Sequence, residues 1–165
     1  MYTKILVPLD GSELAECVLP YVKWFIQVSD VIEIIFLRAV EPFRIAGGLE
    51  AQVMPEDKEN IEQDAAGLAA KYLDKIAAQF KDSRIKIKRV VTIGKPAKTI
   101  AGYVGKSDVD LIIMATHGFS GIHHWIRGSV ADEIVHAARV PVFLVTTRDR
   151  PPDQPESNNA RADGK

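Results

Sequence analysis

Short runs of aliphatic and β-branched residues alternate along this chain with segments whose apolar positions recur every three or four residues, a pattern that leads to a parallel sheet covered by helices. Lys4 to Leu9 has the length and apolarity of a buried strand, and Asp10-Gly11-Ser12 turns the chain. Ser12 can cap a helix from Glu13 to about Val28, with Leu14, Val18, Tyr21, Val22 and Phe25 on one face. Val31 to Val40 is the second strand, and a loop from Glu41 to Met54 follows. Pro55 and Glu56 open a long helix to about Phe80, with Ile61, Leu68, Tyr72, Leu73 and Ile76 on its apolar side.

Arg84 to Ile93 alternates apolar with charged positions, as expected of a strand near the sheet edge with one wetter face. Gly94 ends it, and Pro96 sits early in a helix that runs to about Val104. Asp110 to Met114 is the fourth strand, expected to be central because its Leu-Ile-Ile-Met run carries no polar relief. Gly128-Ser129 opens a helix containing Ala131, Ile134, Val135 and Ala138, and Val142 to Thr146 is the fifth strand. Beyond Thr147, residues 148–165 offer prolines and charges but no large apolar side chain, so this stretch is expected to be a disordered tail to a single domain over 1–147.

Composition narrows the function classes. A chain of 165 residues with 47% hydrophobic and 26% charged residues holds one domain with a proper core. Lys plus Arg number 21 against 22 Asp plus Glu, for a net charge of -1, so the basic excess of a nucleic-acid binder is missing. No apolar run approaches the ~20 residues that span a bilayer, and no cleavable leader pattern precedes Ile5-Leu6-Val7. The single cysteine, Cys17, falls near the apolar stripe of the first helix, where a buried, inert thiol is expected. A soluble, cytoplasmic protein is the expectation.

In open parallel sheets, ligands sit outside the carboxyl ends of the strands, and two turns there carry unusual residues. Leu9-Asp10-Gly11-Ser12 puts a carboxylate and a glycine at the tip of strand one, a combination that an ordinary turn also explains. Ala115-Thr-His-Gly118 is followed, after nine intervening residues, by Gly128-Ser129. Glycines allow close backbone approach to a phosphate, and the N–H groups at a helix start attract negative charge; a plain helix cap at Ser129 is the alternative.

Taken together, Ile5-Leu6-Val7-Pro8-Leu9-Asp10-Gly11-Ser12, Gly94-Lys95-Pro96-Ala97, the run from Ala115 through Gly128-Ser129-Val130-Ala131 and the closing Val140-Pro141-Val142-Phe143-Leu144-Val145 resemble the universal stress protein family, in its ATP-binding branch. The family's phosphate motif, Gly-x2-Gly-x9-Gly-Ser/Thr, is matched at Gly118, Gly128 and Ser129, with Ala115 in place of the first glycine. The resemblance implies an α/β Rossmann-like fold, an open parallel sheet of five strands in the order 3-2-1-4-5 with helices on both faces, and a homodimer formed through strand five. It implies that Pro8 and Leu9 border the nucleoside, that Asp10 meets the ribose or, through nucleotide-bound Mg2+ or Mn2+, the phosphate region, and that the backbone at Ala39 faces the adenine edge. Gly118, Gly128, Ser129 and Val130 would hold the phosphates of ATP, or of ADP or AMP, with Ala115 and His117 lining the pocket. The function implied is an ATP-dependent stress-response switch with little or no hydrolysis; a dimeric interaction or holdase-like module with a vestigial pocket is the alternative.

Other chemistries fit less well. Gly105-Lys106-Ser107 looks like the end of a P-loop, but position 100 is Ile100 instead of the required glycine. Gly118-Phe-Ser120-Gly121 lacks the glycine two places after the serine that a nucleophile elbow needs. His117, His123, His124 and His136 have no neighbouring cysteine and no metal-ligand spacing, so phosphate-neighbouring or surface positions suit them better.

Overall fold

A computed structural model describes residues 2–43, 54–80, 84–116 and 130–146. Their elements run β1 (Lys4–Pro8), α1 (Glu13–Glu16), α2 (Leu19–Val28), β2 (Glu33–Val40), α3 (Pro55–Ala77), β3 (Lys86–Ile93), α4 (Pro96–Val104), β4 (Leu111–Ala115), α5 (Val130–Ala137) and β5 (Val142–Val145). The strands form one five-stranded sheet in the order β3-β2-β1-β4-β5. Every pairing is parallel, with Leu6 opposite Ile35 on one side and Ile112 on the other. The strand order and the α/β Rossmann-like class are those that the family resemblance implies.

Alternation of side chains across each strand divides the core into two layers. Ile5, Val7, Ile34, Phe36, Leu111 and Ile113 pack with α2 and α3 on one face. Leu6, Ile35, Leu37, Ile112 and Met114 pack with α4 and α5 on the other. Both faces are covered, which is why β1 from Ile5 onward and β4 are apolar. The middle place belongs to β1, with β4 one position away between β1 and β5. At the edge, β3 keeps its wet face, and Arg89 reaches back to pair with Asp74 of α3.

Three expectations are corrected. The helix expected over Glu13–Val28 is broken into α1 and α2 at Cys17 and Val18, because Pro20 has no N–H to give the Glu16 carbonyl and its ring crowds that oxygen. On α3 the buried positions are Ala69, Leu73 and Ile76, whereas Ile61 and Leu68 face out, Leu68 at 66% exposure. Val135 on α5 is also exposed. Strand ends move by one or two residues, within ordinary fraying. Cys17 is half-buried against the α2 layer. The domain end at Thr147 and the tail lie outside the described residues. No described helix is long and apolar enough to cross a membrane.

Asp110, just before β4, ties the start of the sheet together. Its carboxylate accepts bonds from the Thr3 N–H (2.8 Å), the Thr3 hydroxyl (2.9 Å) and the Lys4 N–H (3.2 Å). Asp110→Ala strands these donors, and urea unfolding should show a loss of about 1–3 kcal/mol. Asp110→Asn, which keeps an acceptor, should lose less.

Candidate functional site

At the carboxyl end of β1 the chain leaves the sheet in a defined turn. The Leu9 N–H still donates to the Leu37 carbonyl at 2.9 Å, and Gly11 then adopts φ +85°, a conformation that glycine takes without a Cβ penalty. Asp10 Oδ1 accepts from the Ser12 N–H at 2.9 Å and from the Ser12 hydroxyl at 2.6 Å. The Ser12 oxygen in turn accepts from the Ala15 N–H at 3.1 Å, capping α1. The short carboxylate relay fixes Asp10 beside the helix start.

The ends of β2 and β4 lie on either side. Helices covering opposite faces of the sheet diverge here, so a crevice opens outside the strand ends. A cleft of about 610 Å³ occupies it, within the range that suits a small-molecule ligand. Pro8, Leu9, Asp10, Ala39, Ala115 and Val130, all singled out in the sequence, line this one cleft. His117, Gly118, Gly128 and Ser129 lie outside the described residues.

Other lining residues had little sequence signal as site residues. Ile100 of α4 and Met114 of β4 supply apolar walls, and Glu41 lies at the mouth, where a smaller cavity with Lys95 and Glu133 adjoins. Their residue types are those of a core or a surface, and only topology brings them to the crevice. Pro96, by contrast, lies in the Gly94-Lys95-Pro96-Ala97 stretch that carried part of the resemblance.

The chemistry available is that of a binding site. Among the described residues the cleft lining has carboxylates at Asp10 and Glu41 and no lysine or arginine. An anion there would have to be met by backbone N–H groups, and the start of α5 at Val130 presents them. No group of His, Cys, Asp or Glu among the described residues could hold a metal ion by itself. Asp10 has one oxygen committed to its turn and can offer only the other to a cation brought in by a ligand.

Comparison with known proteins agrees with this geometry. Residues 1–146 match the model of the universal stress protein family. The universal stress protein MJ0577 of Methanocaldococcus jannaschii is 29% identical over 157 residues, covering 88% of this chain and 95% of that protein. The solved structure of MJ0577 superposes with a TM-score of 0.73 at 27% identity, over 91% of this chain and 99% of that one. A universal stress protein in complex with cAMP superposes at a TM-score of 0.56 with 17% identity, over 88% and 98% of the two chains. A family member from Arabidopsis thaliana with AMP bound gives 0.53 at 14% identity, over 87% and 90%; at these identities the likeness is one of fold.

Proposed function

Since this chain belongs to the universal stress protein family, we propose that it binds an adenine nucleotide, ATP foremost, in the cleft at the ends of β1, β2 and β4, and acts as an ATP-dependent switch in a stress response. The observation that carries the reading is the convergence of Pro8, Leu9, Asp10, Ala39, Ala115 and Val130 on one crevice of nucleotide size. Family members with bound cAMP and AMP support it. The apolar walls, Leu37, Ile100 and Met114 among them, suit a purine, and the strand-end backbone at Ala39 suits its polar edge. Gly118, Gly128 and Ser129, with the N–H groups at Val130, form the phosphate cradle; Mg2+ or Mn2+ enters with the phosphates, and Asp10 meets the ribose or the metal.

The bound nucleotide is a signal more than a substrate. Fast phosphoryl transfer needs fixed positive charge on the leaving phosphate and a group that orients water. The described lining supplies no cation, and Asp10 is tied into its turn. Single-turnover measurement with labelled ATP should therefore give phosphate release well below about one per second. Release at or above that rate makes the protein a working ATPase and overturns the switch. Mass spectrometry of nucleotide released from freshly purified protein identifies which adenine nucleotide is held.

The functional unit is a cytoplasmic homodimer formed through β5. Among the described residues that strand has no partner on its outer side in the sheet order, Leu144 is 40% exposed, and an unpaired apolar edge favours association about a two-fold axis. Light scattering at tens of micromolar should report a dimer, and Leu144→Lys should shift it toward monomer; an all-monomer result for the unmodified protein removes this part of the proposal.

A further inference from the structure

Leu37 and Ala39 both line the cleft, so Arg38 between them projects from the other face of the sheet. There its guanidinium carbon lies 5.1 Å from the centre of the Tyr72 ring of α3. Its terminal nitrogens meet Gly11, where an added Cβ would stand 3.1 Å from one of them. Gly11 is the middle residue of the Asp10–Ser12 turn and has φ +85°. The positive φ favours glycine at this position, and a Cβ there would also push the Arg38 guanidinium back by a few tenths of an ångström. A planar guanidinium can lie against a ring and a backbone at once, which a lysine ammonium cannot.

The ring that receives Arg38 packs against the core layer between α3 and the sheet. The Tyr72 oxygen is buried beside Glu16. Burial, and next the charge of Glu16, push its hydroxyl well above the ordinary tyrosine range, Arg38 pulls the other way, and Asp10 adds a smaller push upward. The phenol is neutral, and Arg38 lies over its ring.

We propose that Arg38 is a positioning residue for the nucleotide site: braced on Tyr72, it backs Gly11 from the far side of the sheet and so fixes the direction in which Asp10 enters the cleft. The inference rests on the nucleotide reading of that cleft and adds to it a residue outside its lining. Without the guanidinium the turn loses its backing, and Asp10 samples orientations that no longer meet the ribose or the metal.

The test uses the full chain, with Arg38→Ala and Arg38→Lys each made alone and with Asp10→Asn. Mg-ATP titration should show Arg38→Ala weakening binding about tenfold and Arg38→Lys about threefold, both effects vanishing when Asp10 is already asparagine. Amide exchange at Ser12, read without nucleotide, should accelerate about tenfold in Arg38→Ala while the core strands keep their protection. An equal loss in the Asp10→Asn background, or an unchanged Ser12 amide, overturns the proposal. Should Arg38→Ala fail to fold, Arg38→Lys carries the same comparison. Absence of binding to the unmodified protein sinks the nucleotide reading, and the Ser12 amide still decides whether Arg38 holds the turn.

Discussion

Millimolar Mg-ATP is expected to raise the melting temperature by about 5–10 °C, and Ala39→Trp to abolish the rise. A ligand that binds only the folded state at a hundredfold excess over its Kd adds about 2.7 kcal/mol, and in a domain of this size each kcal/mol moves the melting point by about 2–4 °C. Ala39 stands at the end of β2, half-buried, and lines the cleft between Leu37 and Glu41. An indole there fills the crevice from its apolar side while leaving the turn at Gly11 untouched. Gly118→Val and Gly128→Val should abolish the rise as well, by occupying the space that the phosphates need. Ala115→Gly restores the family's first glycine and should leave the shift unchanged or enlarge it. Differential scanning fluorimetry reads all five proteins side by side, and a rise retained in Ala39→Trp would place the ligand elsewhere.

The second large effect separates two leucines on one helix. Leu73→Ala should cost about 3–5 kcal/mol, a large share of the roughly 5–15 kcal/mol that stabilises a typical domain. Leu68→Ala should change stability by about 0.5 kcal/mol or less. Leu73 is 0% exposed and packs against the sheet, whereas Leu68 is 66% exposed. Urea unfolding of the two variants measures the difference, and similar losses would mean that the outer face of α3 is covered in solution.

That pair also shows where the sequence stops being legible. Apolar residues on α3 occupy more than one face, so periodicity assigns Ile61 and Leu68 to the core together with Leu73 and Ile76. Only the direction of the sheet decides between them. A stripe through Ala69, Leu73 and Ile76 meets the strands, and Leu68, about 100° away from Ala69 around the helix, does not. The break at Pro20 was legible in principle, since a proline inside a helical pattern signals its own disruption, yet the regular spacing of Leu14, Val18, Tyr21 and Phe25 across it masks the signal.

The strands were easier to read. Uninterrupted Ile-Leu-Val and Leu-Ile-Ile-Met runs between turn residues suit strands buried on both faces, and charges at Lys86 and Lys88 put the third strand at an edge. At the site, the turn at Asp10 and the end of β4 at Ala115 were visible because glycines and a carboxylate stand out at strand ends. Ile100 and Met114 were not, because an apolar wall of a cleft and an apolar core position have the same chemistry. Arg38 carries no site signal in the sequence, because its contact with Gly11 exists only once β1 and β2 are paired.

The central claim is that the cleft between β1, β2 and β4 holds an adenine nucleotide. Isothermal titration of Mg-ATP into the unmodified full chain, with Mg-GTP in a parallel cell, tests it most directly. Saturable binding of one Mg-ATP per chain, with Mg-GTP at least about tenfold weaker, is the expected result; such a preference corresponds to about 1.4 kcal/mol. No saturable heat with Mg-ATP up to millimolar concentration, or equal binding of both nucleotides, contradicts it.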